Sequence, residues 1–171
     1  MGSNRPLKIL LDTNVWLDRL VPNRKGYETA RELVDGAVED DVELLYALHS
    51  LNDVFYQVGQ ESKRWVKASY GHISEQWARA INSRCWECVD DMSAVATAIG
   101  ADGSDVWNAR HLRGIHGDFE DDMVLAAAQR AEVDYLVTSD QRLIQKATVA
   151  ALTPQDMLAV LRLRKEGPQP A

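Results

Sequence analysis

Hydrophobic positions in this chain follow two alternating rhythms. Four compact apolar runs have strand length: LKILLD (Leu7 to Asp12), ELLYAL (Glu43 to Leu48), SAVATAI (Ser93 to Ile99) and YLV within DYLVTSD (Asp134 to Asp140). Between them, apolar residues recur every three or four positions, the helical period. TNVWLDRL predicts a short helix with Val15, Trp16, Leu17 and Leu20 inward, and the next segment sets Tyr27, Ala30, Val34 and Val38 on one face. LNDVFYQVGQ opens a further helix with Leu51, Val54, Phe55 and Val58 inward, and a long one covers about Ile73 to Cys88. VWNARHLRG reads as a helix ending near Gly114, and an alanine-rich helix starts at Asp118. QRLIQKA, a short strand in TVAAL, and a helix opened by Pro154 complete the pattern.

Strands spaced by helices predict right-handed βαβ units. The expected fold class is α/β: one three-layer α/β/α sandwich on a mainly parallel central sheet. A length of 171 residues suits one core. Residues 7–164 are read as the domain, residues 1–6 as an N-terminal extension in keeping with a cloning remnant, and residues 165–171 as a disordered tail. In such sheets ligands bind beyond the carboxyl ends of the strands.

A net charge of −7 argues against a surface that is wholly a basic sleeve for nucleic acid, though not against a local basic groove. No apolar run reaches membrane-spanning length and no signal-peptide core is present, so the expectation is a cytoplasmic chain with no membrane partner. Cys85 and Cys88, in CWEC, continue a helical face with Ile73, Trp77 and Ile81, which favours buried thiols over a redox or zinc pair. His111 and His116 match no standard zinc spacing, and the five tryptophans fall mostly at core spacing.

The chemistry lies in the carboxylates. Asp12 ends the first apolar strand, Asp53 follows the second by a short turn, and Asp140 follows the fourth. DFEDDMVLAAA crowds Asp118, Glu120, Asp121 and Asp122 at one helix start, where acids favour the helix dipole. Asp118 suits an N-cap, Glu120 and Asp122 suit solvated first-turn positions, and Asp53 could cap its own helix. Asp12 and Asp140 have no evident structural use. Like charges brought to one end of a sheet repel unless neutralised, and a hard cation, Mg²⁺ or Mn²⁺, is the economical neutraliser. Such a site suits hydrolysis of a phosphate ester. A phosphotransferase with Asp12 as nucleophile fits less well, because Asn14 stands where that class has a second Asp.

Taken together, LLDTNVWLD, LNDVFYQV and DFEDDMVLAAAQRAEVDYLVTSD resemble the PIN domain family of small metal-dependent ribonucleases, which includes VapC-type toxins. The resemblance implies metal-binding acids at Asp12, Asp121 and Asp140, and a second acid at Asp53, where the family has Glu. It makes Asp118 part of a DFED variant and a further candidate ligand. Thr13, Asn14, Thr138 and Ser139 would line the crevice. It further implies an RNA substrate, an antitoxin protein partner and a homodimer; a catalytically inactive module acting through RNA or protein contacts is the alternative.

Two basic segments are candidate RNA contacts. Lys63, Arg64 and Lys67 interleave with Trp65 and Tyr70, against an equal reading as a solvated face with Trp65 packed inward. Arg110 and Arg113 precede the acidic helix.

Overall fold

A computed structural model describes residues 5–113 and 117–166. Five parallel strands, β1 (Lys8–Leu11), β2 (Glu43–Ala47), β3 (Thr97–Ile99), β4 (Tyr135–Val137) and β5 (Ala151–Leu152), form one sheet in the order β3-β2-β1-β4-β5. The helices are α1 (Thr13–Leu20), α2 (Tyr27–Glu39), α3 (Leu48–Tyr70), α4 (Glu75–Val95), α5 (Gly103–Leu112), α6 (Phe119–Arg130), α7 (Gln141–Lys146) and α8 (Pro154–Glu166). No helix of the described residues is long and apolar enough to cross a membrane.

The strands read as continuous apolar runs because both sheet faces are covered. Ile9, Leu11, Leu44, Tyr46 and Val137 point to one core, shared with α1, α2, α3, α4 and α8. Leu10, Leu45, Ala47 and Leu136 point to the other, shared with α5, α6 and α7. On α6, Val124, Leu125, Ala127 and Ala128 are buried against this second face, where small side chains bring the helix close to the sheet. The three-layer sandwich is the expected architecture, with every described strand pair parallel.

Some expected details differ. Ser93–Val95 belong to α4, whose period runs past Cys88, so β3 is only three residues long. No turn separates β2 from α3; the helix starts at Leu48 and places Asp53 in its second turn. Val38 faces solvent, and the inward positions of α2 are Ala30, Leu33, Val34 and Ala37. Among the tryptophans Trp16 is fully buried, whereas Trp65, Trp86 and Trp107 are more than half exposed. α8 continues through Lys165 and Glu166, and the rest of the expected tail, like Gly114 and His116, lies outside the described residues.

Candidate active site

The chain leaves β1 toward β2 and β3 on one side and returns to β4 on the other, so the topological switch point lies between β1 and β4. In open parallel sheets of this kind that point, beyond the strand ends, is where ligands bind. Leu11 pairs with Val137, so the residues that follow, Asp12 and Thr138, stand side by side there. The Asp12 N–H donates to the Val137 carbonyl at 3.0 Å, which continues the ladder one step past the strand.

Asp12 is 5% exposed, and both carboxylate oxygens are engaged. Oδ1 accepts from the Thr13 N–H at 2.7 Å; Oδ2 accepts from Asn14 Nδ2 at 2.5 Å and from the Thr138 hydroxyl at 2.7 Å. Burial pushes the Asp12 carboxyl above its ordinary value, hydrogen bonds from Thr138 and Thr13 oppose the rise, and the charge of Asp140 adds to it. Asn14 ties the two loops together, donating to Thr138 Oγ1 at 3.0 Å and accepting from the Ser139 N–H at 3.0 Å. Beneath it, Thr13 donates to the fully buried Ser50 hydroxyl at 3.0 Å, which pins α1 to α3.

Three of the acids are also helix N-caps. Asp12 caps α1; Asp140 caps α7, through Arg142 N–H at 2.7 Å and Leu143 N–H at 3.3 Å; Asp118 caps α6, through Glu120 N–H at 2.9 Å and Asp121 N–H at 3.5 Å. Asp12 and Asp140 thus have the structural use that their sequence positions concealed: in both places a strand runs into a helix with almost no loop, and the first polar side chain caps it. Capping does not account for the burial of Asp12 or for the second oxygen held by Asn14 and Thr138.

α6 sorts the crowded acids by face. Asp121 shares its helical face with Val124, Leu125 and Ala128, which pack on the sheet, and is partly buried. Asp122, expected in solvent, is instead 2% exposed. Glu120 is exposed, as expected; partial desolvation raises its carboxyl first, and the charges of Asp53, Asp12, Asp118 and Asp121 raise it further. Glu120 and Asp53 therefore face one acidic field with Asp12. His49, one helical turn before Asp53, was not singled out from sequence; burial lowers its pKa against the pull of Asp53 and Asp105, and its Nε2 is buried with no hydrogen-bond partner. A polar residue at the first turn after a strand was the only signal for His49 and Ser50.

The basic segments fall differently. Lys63, Arg64 and Lys67 are exposed on α3, about 15–21 Å along the helix from Asp53 at 1.5 Å per residue. Trp65 is not packed inward; at 54% exposed it meets Tyr70 and Trp77 edge-on, with centroids 6.0 and 6.1 Å apart. Arg110 lies on α5 and Arg113 is its C-cap; α5 packs against α6, whose first turn carries the crowded acids.

Among the described residues no three His, Cys, Asp or Glu side chains stand close enough together to hold a metal ion. The donor chemistry nonetheless fits a hard cation: a buried carboxylate faces a like charge, and the neighbouring groups are oxygens rather than thiols or imidazoles.

A PIN domain family model matches residues 8–142, and the chain belongs to that family. The fold is similar to VapBC2 from Rickettsia felis bound to a DNA fragment from their promoter, with TM-score 0.62 and 10% identity, covering 86% of this chain and 98% of that one. It is also similar to Mycobacterium tuberculosis VapC20, described as a sarcin-ricin loop cleaving toxin, with TM-score 0.62 and 12% identity, covering 83% and 97%. PAE2754 from Pyrobaculum aerophilum has TM-score 0.57 and 17% identity, covering 91% and 90%. At these identities the likeness speaks for the fold. No curated protein sequence matches.

Proposed function

We propose that this PIN domain is a divalent-cation-dependent endoribonuclease of the VapC toxin kind. The observation that carries the reading is Asp12: a carboxylate buried at the switch point, with Asp140 beside it and donors from Thr13, Asn14 and Thr138 aimed at it. Mg²⁺ or Mn²⁺ would be held around the Asp12–Asp140 pair, with Asp121 and Asp118 as the further ligands the family resemblance implies and waters completing the shell. When bound, the ion would polarise the phosphodiester and activate water.

The chain's own groups supply position and field. Thr138 and Asn14 fix the plane of the Asp12 carboxylate, so its rotamer is set before anything binds. The N-termini of α1, α6 and α7 hold the carboxylates of Asp12, Asp118 and Asp140 through their first-turn N–H groups and so favour the ionised acids that a cation would need. Asp53 and Glu120, which feel one another's charge, would offer a proton-accepting carboxylate to an incoming water.

RNA as substrate, with Lys63, Arg64, Lys67, Arg110 and Arg113 as contacts, belongs to this proposal. An antitoxin partner and a homodimer belong to it as well, on the strength of family membership and of neighbours such as VapBC2 and the VapBC-1 of nontypeable Haemophilus influenzae. The test is cleavage of a structured RNA in Mn²⁺ by the purified chain. Cleavage should vanish with EDTA and in Asp12→Asn and Asp121→Asn; cleavage that survives both substitutions refutes the site.

A further inference from the structure

One face of α3 is polar from the acidic end of the sheet to the far end of the helix. Asp53 is followed, at three- and four-residue spacing, by Tyr56, Gln57, Gln60, Lys63, Arg64 and Lys67, so all share one side of the helix, and every one after Asp53 is exposed. Along this strip an acid comes first, then an aromatic ring, two amides and three cations. Lys63, Arg64 and Lys67 make no ion pair among the described residues, whereas Arg5, Arg24, Arg84, Arg130 and Arg162 are each paired with a carboxylate. Glu61, the acid nearest to them in sequence, is held by Arg24 at 2.9 Å and does not neutralise them. In a chain of net charge −7, three such cations on one helix face mark a surface for an anion.

Resting on the ribonuclease reading above, we propose that this strip carries the single-stranded RNA that leads away from the cut bond, with Tyr56 stacked on an unpaired base and the three cations on phosphates beyond it. Tyr56 is 60% exposed and lies one helical turn past Asp53; Phe55 meets it edge-on, with centroids 5.6 Å apart, and steadies the ring. An exposed ring offers a stacking face to any base, and glutamine amides can bond base edges. A protein segment fits the strip less well, because apart from Tyr56 it presents no apolar side chain to bury. The apolar groove of Val58, Trp65, Trp77 and Ile81 opens on another side of α3.

The spacing also fits. At 1.5 Å per residue the strip runs about 21 Å from Asp53 to Lys67. A strand with phosphates about 3.4 Å apart would set about six of them along it. Its start lies in the acidic field, since Glu120 feels the charges of both Asp53 and Asp12, so a strand on the strip leads out from the candidate metal site.

The experiment measures binding of a fluorescent single-stranded RNA dodecamer, over a series of salt concentrations, to the full chain carrying Asp12→Asn so that the RNA stays intact. Lys63→Ala, Arg64→Ala and Lys67→Ala together should reduce the slope of log affinity against log salt by about 2, at about 0.7 per phosphate contact. Tyr56→Ala should weaken binding about tenfold, the cost of one lost stack, and leave the slope unchanged. A duplex of the same sequence should bind less tightly and lose nothing to Tyr56→Ala. Arg162→Ala, on α8, serves as the charge control and should change nothing. Circular dichroism confirms that each variant is folded. A triple variant that keeps the parent slope, or a Tyr56→Ala variant that keeps the parent affinity, overturns the RNA path. So does poly-glutamate that displaces the dodecamer as well as unlabelled RNA does, which would make the strip a surface for acidic protein segments. Failure of the unsubstituted chain to cleave RNA in Mn²⁺ removes the nuclease reading instead, while slope and affinity lost in these variants still support the strip.

Discussion

The Thr138 hydroxyl donates to Asp12 Oδ2 at 2.7 Å, joining residues 126 positions apart that parallel pairing of β1 and β4 makes neighbours. Thr138 is fully buried and its hydroxyl in turn accepts from Asn14 Nδ2 and from the Asp140 N–H, both at 3.0 Å. One hydroxyl therefore couples the two central strand ends and two of the candidate metal ligands.

Thr138→Val should keep the fold and lose this coupling. Mn²⁺ affinity and RNA cleavage should each fall about 10- to 100-fold, the usual cost of removing a group that orients a ligand. Thr138→Ser should restore most of both. Calorimetric titration of Mn²⁺ alongside cleavage rates checks this; full activity in the Val variant would remove Thr138 from the site.

The raised pKa of Asp12 sets a direction for pH dependence. Its folded-state value lies above the ordinary 3.8, so between the two the folded protein binds more protons than the unfolded chain. Stability from this group is complete below 3.8 and declines as pH rises through the raised value. Asp12→Asn lacks that titration, so in EDTA its stability relative to the unsubstituted protein should improve from acid to neutral pH. Urea unfolding across that range reads the difference. Added Mn²⁺ should raise the Tm at pH 7 only where Asp12 is present.

Asp105 is fully buried at the start of α5, and its carboxylate accepts from Arg130 Nε at 2.9 Å and Nη2 at 3.0 Å and from the Asp102 N–H at 3.0 Å. Arg130 also donates to the Gly100 carbonyl, which clamps β3, α5 and α6 together. Removing Arg130 leaves a buried charge without its partner, so Arg130→Ala should cost about 3 kcal/mol by denaturant unfolding. Asp105→Asn keeps a polar acceptor without the charge and should cost less.

Cys85 and Cys88 are free, buried thiols, and burial pushes Cys88 up to about 11. Only the thiolate reacts, so a disulfide reagent at pH 8 should modify the native protein slowly and both thiols at once in urea. Fast native labelling would contradict their packing between α3 and α4.

Period and length were enough to read most of the elements. The apolar runs around Ile9, Leu44 and Leu136 are buried on both faces, and such runs alternate with helices only in a parallel α/β sheet. Asp12 and Asp140 were legible because a charge directly after an apolar strand is conspicuous. Burial was legible only where the helical face is unambiguous: Val15 and Trp16 follow the pattern, whereas Val38 and Trp65 satisfy the spacing and still face solvent. Spacing defines a stripe on a helix but not which part of it another element covers.

By itself the sequence determined the sandwich, the family, and the end of the sheet at which Asp12 and Asp140 stand. Those follow from local periodicity and from acids placed at strand ends. The tertiary structure decided which acids share one field. The rotation of α6 buries Asp122 and leaves Glu120 exposed within reach of the charges of Asp53 and Asp12, and the β1–β4 register delivers Thr138 to Asp12. Those outcomes depend on helix phase and strand pairing between segments far apart in the chain, and 100° of rotation per residue is enough to move a carboxylate from solvent to core.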